Sequence, residues 1–455
     1  MWLEEILGKK VLVVGLGVSG FWAAKWLRSQ GALVTVTDMR EEEELDPGPL
    51  GELLGLGAAL ELGGHSEKTF MASDLIILSP GIAQSMALLK EVRAKKIPVM
   101  GELEMASRAI RTPVIAITGT NGKSTVTTCI GELLKNAGLE GYVCGNIGVP
   151  LTTYACGEMK ADYVVVEVSS FQLDTSQTFS PYISVILNIS PDHLDRYRRF
   201  EDYVESKKRI FARQGPGQYL IVNNEDERLA CLSPEKGVSV LRFGLKKRVD
   251  QVAFLEKGHI RVKGRSGIMY DYPTTAFQVP GVHNILNFQA VVLVGDLLGI
   301  ASSLIQKTLD RFRGLPHRME RVGEKDGVLF YDDSKATNIE AAVKAIQSLA
   351  GPVILVAGGR CKGLDYGELA AASVEKVKKA VFLGEARERL GEAFRDIVPY
   401  AMAENLDEAV GLAFSWAGPG DAVLLAPACS SFDMFSDYNQ RGEAFRLAVE
   451  RLTRD

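Results

Sequence analysis

The sequence predicts an α/β protein of three consecutive domains, each built on a largely parallel sheet. Short runs of consecutive apolar residues recur along the chain, separated by stretches of helical periodicity. That is the pattern of strands buried on both faces and joined by crossover helices. The chain has 455 residues, about three times a ~150-residue domain. Several of these apolar runs end directly in glycine, as a strand does when it turns sharply into a helix.

The first domain, residues 1–103, opens with VLVVGLG (11–17), an apolar-periodic stretch from Phe21 to Leu27, and ALVTVTD (32–38). LIILSPG (75–81) follows, and VMGELEMA (99–106) marks a boundary. The second domain, 104–313, begins after Thr112-Pro113 with VIAIT (114–118) and the helix-like TVTTCIGELLKNAG. It continues through YVVVEVS (163–169) and SVILNIS (184–190), loses clear signals across 216–280, and closes with the helix-like HNILNFQAVVLVGDLLG (283–299). The third, 314–455, starts at the hinge-like GLPHR (314–318) and carries VLFYDDS (328–334), VILVAGG (353–359), AVFLG (380–384) and AVLLAPA (422–428). Glu41 to Glu44 form an acidic run expected in a solvated loop.

Composition narrows the function. Apolar residues make up 46% and charged residues 24%, and the net charge is −5. A mildly acidic balance argues against nucleic-acid binding. No apolar stretch of ~18 residues is present to span a membrane, and MWLEEILGKK lacks the basic start and apolar core of a signal peptide. The six cysteines form no C-x-x-C pair and are too sparse for a disulfide framework. These features predict a cytoplasmic protein without membrane insertion.

The strongest chemical signal is ITGTNGKST, 117–125. An apolar strand runs into Gly119-Thr120-Asn121-Gly122-Lys123-Ser124-Thr125 and on into a helix. Glycines let successive N–H groups converge on phosphate oxygens, and the helix N-terminus adds positive potential. Lys123 can neutralise outer phosphates, and the Ser124 hydroxyl can hold Mg²⁺. The common G-x-x-x-x-G-K-[ST] pattern wants glycine where this chain has Ile117, so the loop is a shorter variant. An ATP site is expected here.

Glu167 ends one strand, and His193 lies just past the next. An acid leaving the C-terminal end of a parallel strand beside a phosphate loop is placed to hold Mg²⁺ directly or through water. On a helical wheel with Tyr203 at the origin, Ile210 falls near about 340°, Phe211 near 80° and Val204 near 100°. Lys207 falls near about 40°, inside that apolar arc, and Lys208 near 140°, on its edge. A lysine aimed at a core should lose its charge more easily, and a neutral amine can take up CO₂ as a carbamate. The wheel alone favours a packed stem with the head snorkelling to water.

Gly15-Leu16-Gly17-Val18-Ser19-Gly20 also follows a strand and opens a helix, with Asp38 at the end of the next strand. This is the dinucleotide fingerprint in context. Alone it suggests an NAD-dependent oxidoreductase. Beside a phosphate loop it suggests that one nucleotide is fuel and the other a handle on the substrate.

GTNGKST, VVEVSSFQLD (165–174), LNISPDHLDRY (187–197), GVHNILN (281–287), LPHRME (315–320), DDSKATN (332–338) and PACSSFD (427–433) together resemble the Mur ligase family, in order and along essentially the whole chain. The resemblance implies Rossmann-like N-terminal and C-terminal domains flanking a P-loop ATPase-like central domain. It also implies an ATP-dependent ligase of peptidoglycan precursor synthesis. In that family ATP phosphorylates a carboxylate, and an amino-acid amine displaces the phosphate. Lys123 and Ser124 would hold ATP and a first Mg²⁺. Glu167 and His193 would hold a second, with Lys207 carbamylated, which reverses the wheel-only preference. Asn284, Asn287, Arg318 and Asp333 match nucleotide contacts. The likeness is nearest to the glutamate-adding branch, which implies UDP-N-acetylmuramoyl-L-alanine and D-glutamate as substrates and a monomer as the working form. Lys335, Thr337, Lys362, Ser431 and Tyr438 would then surround D-glutamate. Val18, Ser19 and Asp38 would face the uridine, and Asn146 the diphosphate region. Arg360 stands where relatives often carry Asp, and Met39 where some carry a small hydroxyl residue. The alanine- and diaminopimelate-adding sisters and folylpolyglutamate synthase share the ligation chemistry. The last begins near its phosphate loop, whereas over 100 residues precede it here. A nucleotide-gated module without catalysis is the remaining alternative.

Overall fold

The computed structural model describes residues 6–454 except 194, 195, 198, 235, 236, 280 and 362–364. They form three sheets. The first contains β1 (Lys10–Val14), β2 (Leu33–Thr37), β3 (Ala59–Glu61), β4 (Leu75–Leu78) and β5 (Val99–Gly101), in the order β3-β2-β1-β4-β5. Every pairing in it is parallel. Val11 to Val14 and Leu75 to Leu78 are all buried, as unbroken apolar runs require.

The second sheet contains β6 (Val114–Thr118), β7 (Gly141–Gly145), β8 (Tyr163–Glu167), β9 (Ile183–Ile186), β10 (Tyr219–Asn223), β11 (Ser239–Gly244), β12 (Gln251–Glu256), β13 (His259–Lys263) and β14 (Met269–Pro273). Their order is β14-β13-β12-β11-β10-β9-β6-β8-β7, parallel from β7 through β12, with β13 antiparallel to β12. Strands β10 to β14 occupy the stretch where the sequence signals weaken. Within β11, β13 and β14 buried residues are few and mixed with half-buried and exposed ones, so no continuous apolar run marks them.

The third sheet contains β15 (Glu320–Lys325), β16 (Val328–Asp332), β17 (Val353–Gly358), β18 (Val377–Leu383), β19 (Tyr400–Met402) and β20 (Ala422–Leu425). Its order is β15-β16-β20-β17-β18-β19, with only the edge pair β15/β16 antiparallel.

The chain packs as two compact units, residues 1–272 with 289–308 and residues 273–288 with 309–455. The first sheet and β6–β13 lie in the first unit, and the first sheet and β6–β10 share one hydrophobic core, from Val13 and Leu27 through Leu103 and Met105 to Val166 and Leu220. Each such fully buried side chain contributes about 1.5–3 kcal/mol. The boundary stretch VMGELEMA forms β5 and the helix Glu102–Ala109. There the fully buried Glu104 carboxylate accepts N–H donors from Gln177 (2.9 Å), Thr178 (3.0 Å) and Phe179 (3.1 Å). One acid thereby fixes the turn just beyond the helix Ser170–Asp174. No described helix is long and apolar enough to cross a membrane.

Candidate active site

The loop after β6 is held by its neighbours and by its own lysine. Gly122 takes a left-handed φ of 85° and caps the helix Lys123–Asn136, a conformation that glycine adopts without a Cβ clash. The Thr120 amide donates to the Asn188 carbonyl at 3.0 Å, and the Asn121 amide to Asn188 Oδ1 at 2.8 Å. Asn188 Nδ2 returns a bond to the Asn121 carbonyl at 3.0 Å. The Thr120 hydroxyl accepts from Ser190 N at 3.0 Å and meets the Tyr203 hydroxyl at 3.2 Å. Lys123 folds back, its Nζ donating to the carbonyls of Gly119 (2.9 Å) and Thr120 (2.8 Å). Ser124 and Thr125 are buried at the helix start.

Lys207 reaches the same carbonyl. Its Nζ donates to Gly119 O at 2.9 Å and lies 4.5 Å from the centre of the Tyr203 ring. The side chain is 1% exposed, so its head does not snorkel; the wheel-only expectation is corrected here. Lys208, by contrast, pairs with Glu205 at the surface. Burial holds the Lys207 ammonium well below the usual lysine range, and the Lys123 charge adds to that, against opposing attraction from Asp192, Glu167 and Asp174.

Glu167 is buried at the end of β8, and its Oε1 accepts from Asn146 Nδ2 at 2.8 Å. The Asn146 amide also donates to the Glu167 carbonyl at 2.8 Å, so these two residues form one unit. His193 has a positive φ of 55° and an exposed side chain, its ring edge against Phe171 at 4.8 Å. A buried hydroxyl and a buried carboxylate are hard oxygen donors of the kind Mg²⁺ selects, so this part of the set fits that ion.

The turn after β1 is also glycine-built. A Cβ on Gly20 would lie 1.9 Å from the Gly15 carbonyl oxygen, so only glycine lets the helix Val18–Ser29 approach β1 this closely. Asp38 turns inward: its Oδ2 accepts from the Leu16 amide at 2.6 Å, and Arg40 donates to both carboxylate oxygens at 2.9 Å. The Arg40 hydrogen bonds hold the Asp38 carboxyl well below the usual carboxylate range despite its burial. Val18 is 63% exposed and Ser19 half-buried on the same turn.

In the second unit, Asn287 Nδ2 donates to Asn284 Oδ1 at 3.2 Å, and both side chains are buried. Asp333 follows β16. Burial pushes its carboxyl up to about 7, against the Arg318 charge and with the Asp332 charge. Lys335 Nζ lies 3.9 Å from the centre of the Tyr438 ring, Thr337 is half-buried in the same loop, and Ser431 is buried after β20. Lys362 lies outside the described residues.

Sequence reasoning missed Asn188, Asp192, Tyr203 and Arg441. The first three sit within segments already singled out, and only the fold shows what they touch. Arg441 is 2% exposed. It donates to Ser334 O (2.8 Å), Ser334 Oγ (3.0 Å) and Cys429 O (3.1 Å), tying the loop after β16 to the loop after β20. Nothing local in YNQRGEAFRLAVERLTR distinguishes it from the other arginines.

Known proteins give the class. Family models match in order along the chain: the Mur ligase MurD-like N-terminal domain at residues 9–101, the Mur ligase middle domain at 117–295 and the Mur ligase glutamate ligase domain at 317–429. The chain belongs to the Mur ligase family, whose members are ATP-dependent ligases. Among its relatives, the UDP-N-acetylmuramoylalanine–D-glutamate ligase of Geobacter metallireducens is 42% identical over 448 residues, covering 98% of each chain. The ligase of the same name from Thermoanaerobacter pseudethanolicus is 40% identical over 459 residues, covering 99% of this chain and all of the relative. Two solved structures share the fold. A pseudomurein peptide ligase type C from Methanothermus fervidus has a TM-score of 0.61 at 21% identity, covering 98% of this chain and 100% of that one. MurF ligase from Thermotoga maritima, in complex with ADP, has a TM-score of 0.59 at 17% identity, covering 99% and 97%.

Proposed function

We propose that this chain joins D-glutamate to UDP-N-acetylmuramoyl-L-alanine at the expense of ATP, through an acyl phosphate. The observation that carries the reading is the convergence of Lys123 and Lys207 on the Gly119 carbonyl, in a glycine loop at the head of a helix. Lys123 brings to that carbonyl a cation set to meet anionic oxygens, beside a Lys207 amine that burial holds toward its neutral form. The near full-length similarity to D-glutamate ligases selects the substrates.

The reaction follows from those groups. A carboxylate oxygen of the UDP-linked substrate attacks the terminal phosphorus of ATP, and ADP leaves. The amine of D-glutamate then attacks the acyl carbon, phosphate leaves, and the amine proton departs with the products. Phosphoryl transfer needs position and charge neutralisation more than covalent help. The helix start at Lys123 to Thr125 orients the phosphates, in a loop whose Thr120 and Asn121 amides are fixed by Asn188, and Lys123 swings from its carbonyls to the transferring group. Ser124, Glu167 and His193 would hold Mg²⁺, which supplies charge neutralisation on the phosphate oxygens when bound. Lys207, held toward its neutral form by burial, is suited to carry a carbamate whose carboxylate faces this site. Asp38 presents a fixed carboxylate to the uridine, beside Val18 and Ser19, with Asn146 toward the diphosphate. Asn284, Asn287, Arg318 and Asp333 serve the nucleotide, and Lys335, Thr337, Lys362, Ser431 and Tyr438 the incoming amino acid. Cations suit its two carboxylates. We place the protein in the cytoplasm as a monomer of three domains, 1–103, 104–313 and 314–455, without nucleic-acid partners.

The test is phosphate release from ATP in the presence of UDP-N-acetylmuramoyl-L-alanine, comparing D-glutamate with L-glutamate, L-alanine and L-lysine. Release that requires D-glutamate is expected. Equal release with any of the others contradicts the substrate assignment.

A further inference from the structure

Three neighbouring strands of the third sheet, β16, β20 and β17, run parallel and deliver their carboxyl ends side by side. The chain runs outward from β17 through β18 to β19, then returns to place β20 between β16 and β17, so the strand order reverses here. Ligands of open α/β sheets bind at the carboxyl ends of strands beside such a reversal. Arg441, from the helix Tyr438–Arg454, joins the three strand ends from within and is 2% exposed. After β16, its Nη2 donates to Ser334 O at 2.8 Å and its Nε to Ser334 Oγ at 3.0 Å. Its Nη1 donates to Cys429 O at 3.1 Å, after β20, and more loosely to Gly358 O at 3.4 Å, at the end of β17. Gly359 makes room for it: a Cβ there would stand 3.0 Å from Arg441 Nη1 and 2.2 Å from the Ser430 carbonyl oxygen.

Burying a cation in this place is unfavourable unless its geometry is needed. Among the described residues, each of these bonds goes to a carbonyl or hydroxyl oxygen and none to a carboxylate. An apolar side chain would fill the space without the cost of burying charge. Burial pushes the guanidinium down to about 10, against attraction from Cys429, Asp433 and Asp332, so it stays charged near neutral pH. What arginine adds is a planar fork of N–H donors in fixed directions. The Ser334 hydroxyl that accepts from Arg441 also donates to the Tyr438 carbonyl at 2.8 Å. Lys335, the next residue, holds its Nζ 3.9 Å from the centre of the Tyr438 ring. Ser431 lies two residues beyond Cys429, and Tyr438 precedes Arg441 by about one helical turn. Lys335, Ser431 and Tyr438 thus stand on the stretches of backbone that Arg441 fastens together.

We propose that Arg441 is a positioning residue of the amino-acid site. Its fork sets the spacing between Lys335 on the loop after β16, Ser431 on the loop after β20 and Tyr438 on its own helix, and so governs how tightly the amino acid is held. This deepens the reading that the site takes D-glutamate and rests on it. Arg441 is too enclosed to touch substrate and acts through the oxygens it holds. A small amino acid gripped by groups from several elements at once is loosened when one element shifts against another. The effect belongs to the amino acid alone. Asp333, the proposed nucleotide contact beside Ser334, is held separately, its amide on Leu425 O at 2.8 Å and its Oδ1 accepting from the Met319 amide at 3.3 Å. The Ala428 amide also donates to the Ala336 carbonyl at 2.8 Å, so a variant at 441 keeps one tie between the two loops.

The experiment uses the full chain and two variants. Arg441→Lys keeps the charge and loses the fork; Ser334→Ala keeps Arg441 and removes the hydroxyl shared with Tyr438. Phosphate release is measured with each substrate varied in turn, and amide hydrogen exchange is measured without substrate. For Arg441→Lys the expected result is a KM for D-glutamate raised about tenfold or more, with kcat within about threefold and KM for ATP and for the UDP-linked substrate within about twofold. Ser334→Ala should raise the same KM about threefold. Exchange should quicken in the loops 333–338 and 427–433 while β17 and β20 stay protected. A lower kcat at unchanged KM for D-glutamate, as a smaller folded fraction gives, would leave Arg441 a purely structural role and overturn the proposal. KM values raised equally for all three substrates, or unchanged exchange in both loops, would overturn it too. Should Arg441→Lys fail to fold, Ser334→Ala decides by the same readouts. If the wild type shows no D-glutamate dependence, the ligase reading fails, and the exchange measurement still decides whether Arg441 holds the loops.

Discussion

The glycine turn after β1 and the glycine loop after β6 share a grammar, strand then glycines then helix, and differ in the charge that accompanies them. In the first, the chain supplies its own anion: the Asp38 carboxylate occupies the Leu16 amide and is clamped by Arg40. In the second, the chain supplies two lysines, the Lys123 cation and the Lys207 amine that burial holds toward its neutral form, both lodged on the Gly119 carbonyl. The clamped carboxylate, its oxygens taken by Leu16 and Arg40, fixes the turn at the head of the helix, which suits holding a nucleoside. A Lys123 ammonium parked on a carbonyl has a better partner in phosphate oxygens, which suits the reacting end. The first region should therefore govern affinity and the second rate.

That division can be broken, beginning where the effect is largest. Lys123→Ala should lower kcat by about 10³-fold or more, because it removes a cation facing charge that develops in transfer; near-normal turnover would remove the assignment. Lys207→Ala should lower kcat by about 10²-fold. If Lys207 carries a carbamate, stripping CO₂ from the buffers should reduce wild-type activity and bicarbonate should restore it. Asp38→Asn should raise KM for the UDP-linked substrate about tenfold and leave kcat within about twofold. A kcat effect as large as that of Lys207→Ala would erase the distinction between the two regions. Asn188→Ala removes both side-chain bonds to Asn121 and leaves the backbone bond to the Thr120 amide. It should cost about 1–3 kcal/mol in urea unfolding, with a smaller loss of kcat than either lysine variant.

Much of this comparison was legible in the sequence. The strand ends at Gly15, Gly119 and Glu167 follow apolar runs that the fold buries on both faces, and Asp333 follows β16, where buried and half-buried residues alternate, so periodicity located them. The wheel placed Lys207 inside an apolar arc but could not say whether its head escapes. That depends on the Tyr203 ring and the Gly119 carbonyl, the latter 88 residues away. Strands β11, β13 and β14 were illegible because exposed and buried residues mix within each. Arg441 was illegible because the Ser334 carbonyl it holds is 107 residues away and only the closed third sheet brings the two together.

A last expected effect, on stability rather than rate, lies in the second unit and concerns pH. The Asp333 carboxyl, pushed by burial from an ordinary 3.8 up to about 7, binds its proton more firmly folded than unfolded. Its stabilising contribution is therefore complete below about pH 4 and is lost as pH rises through 7. Thermal unfolding of the wild type should show a decline across that window which Asp333→Asn flattens; parallel pH profiles would show that Asp333 does not titrate there.

The central claim is that the carboxylate of the UDP-linked substrate takes the terminal phosphoryl of ATP before the amine arrives. It is tested most directly by labelling that carboxylate with oxygen-18 and analysing the released phosphate by mass spectrometry after turnover with D-glutamate. The account predicts one labelled oxygen in the inorganic phosphate for each amide formed. Unlabelled phosphate accompanying full amide formation would contradict it.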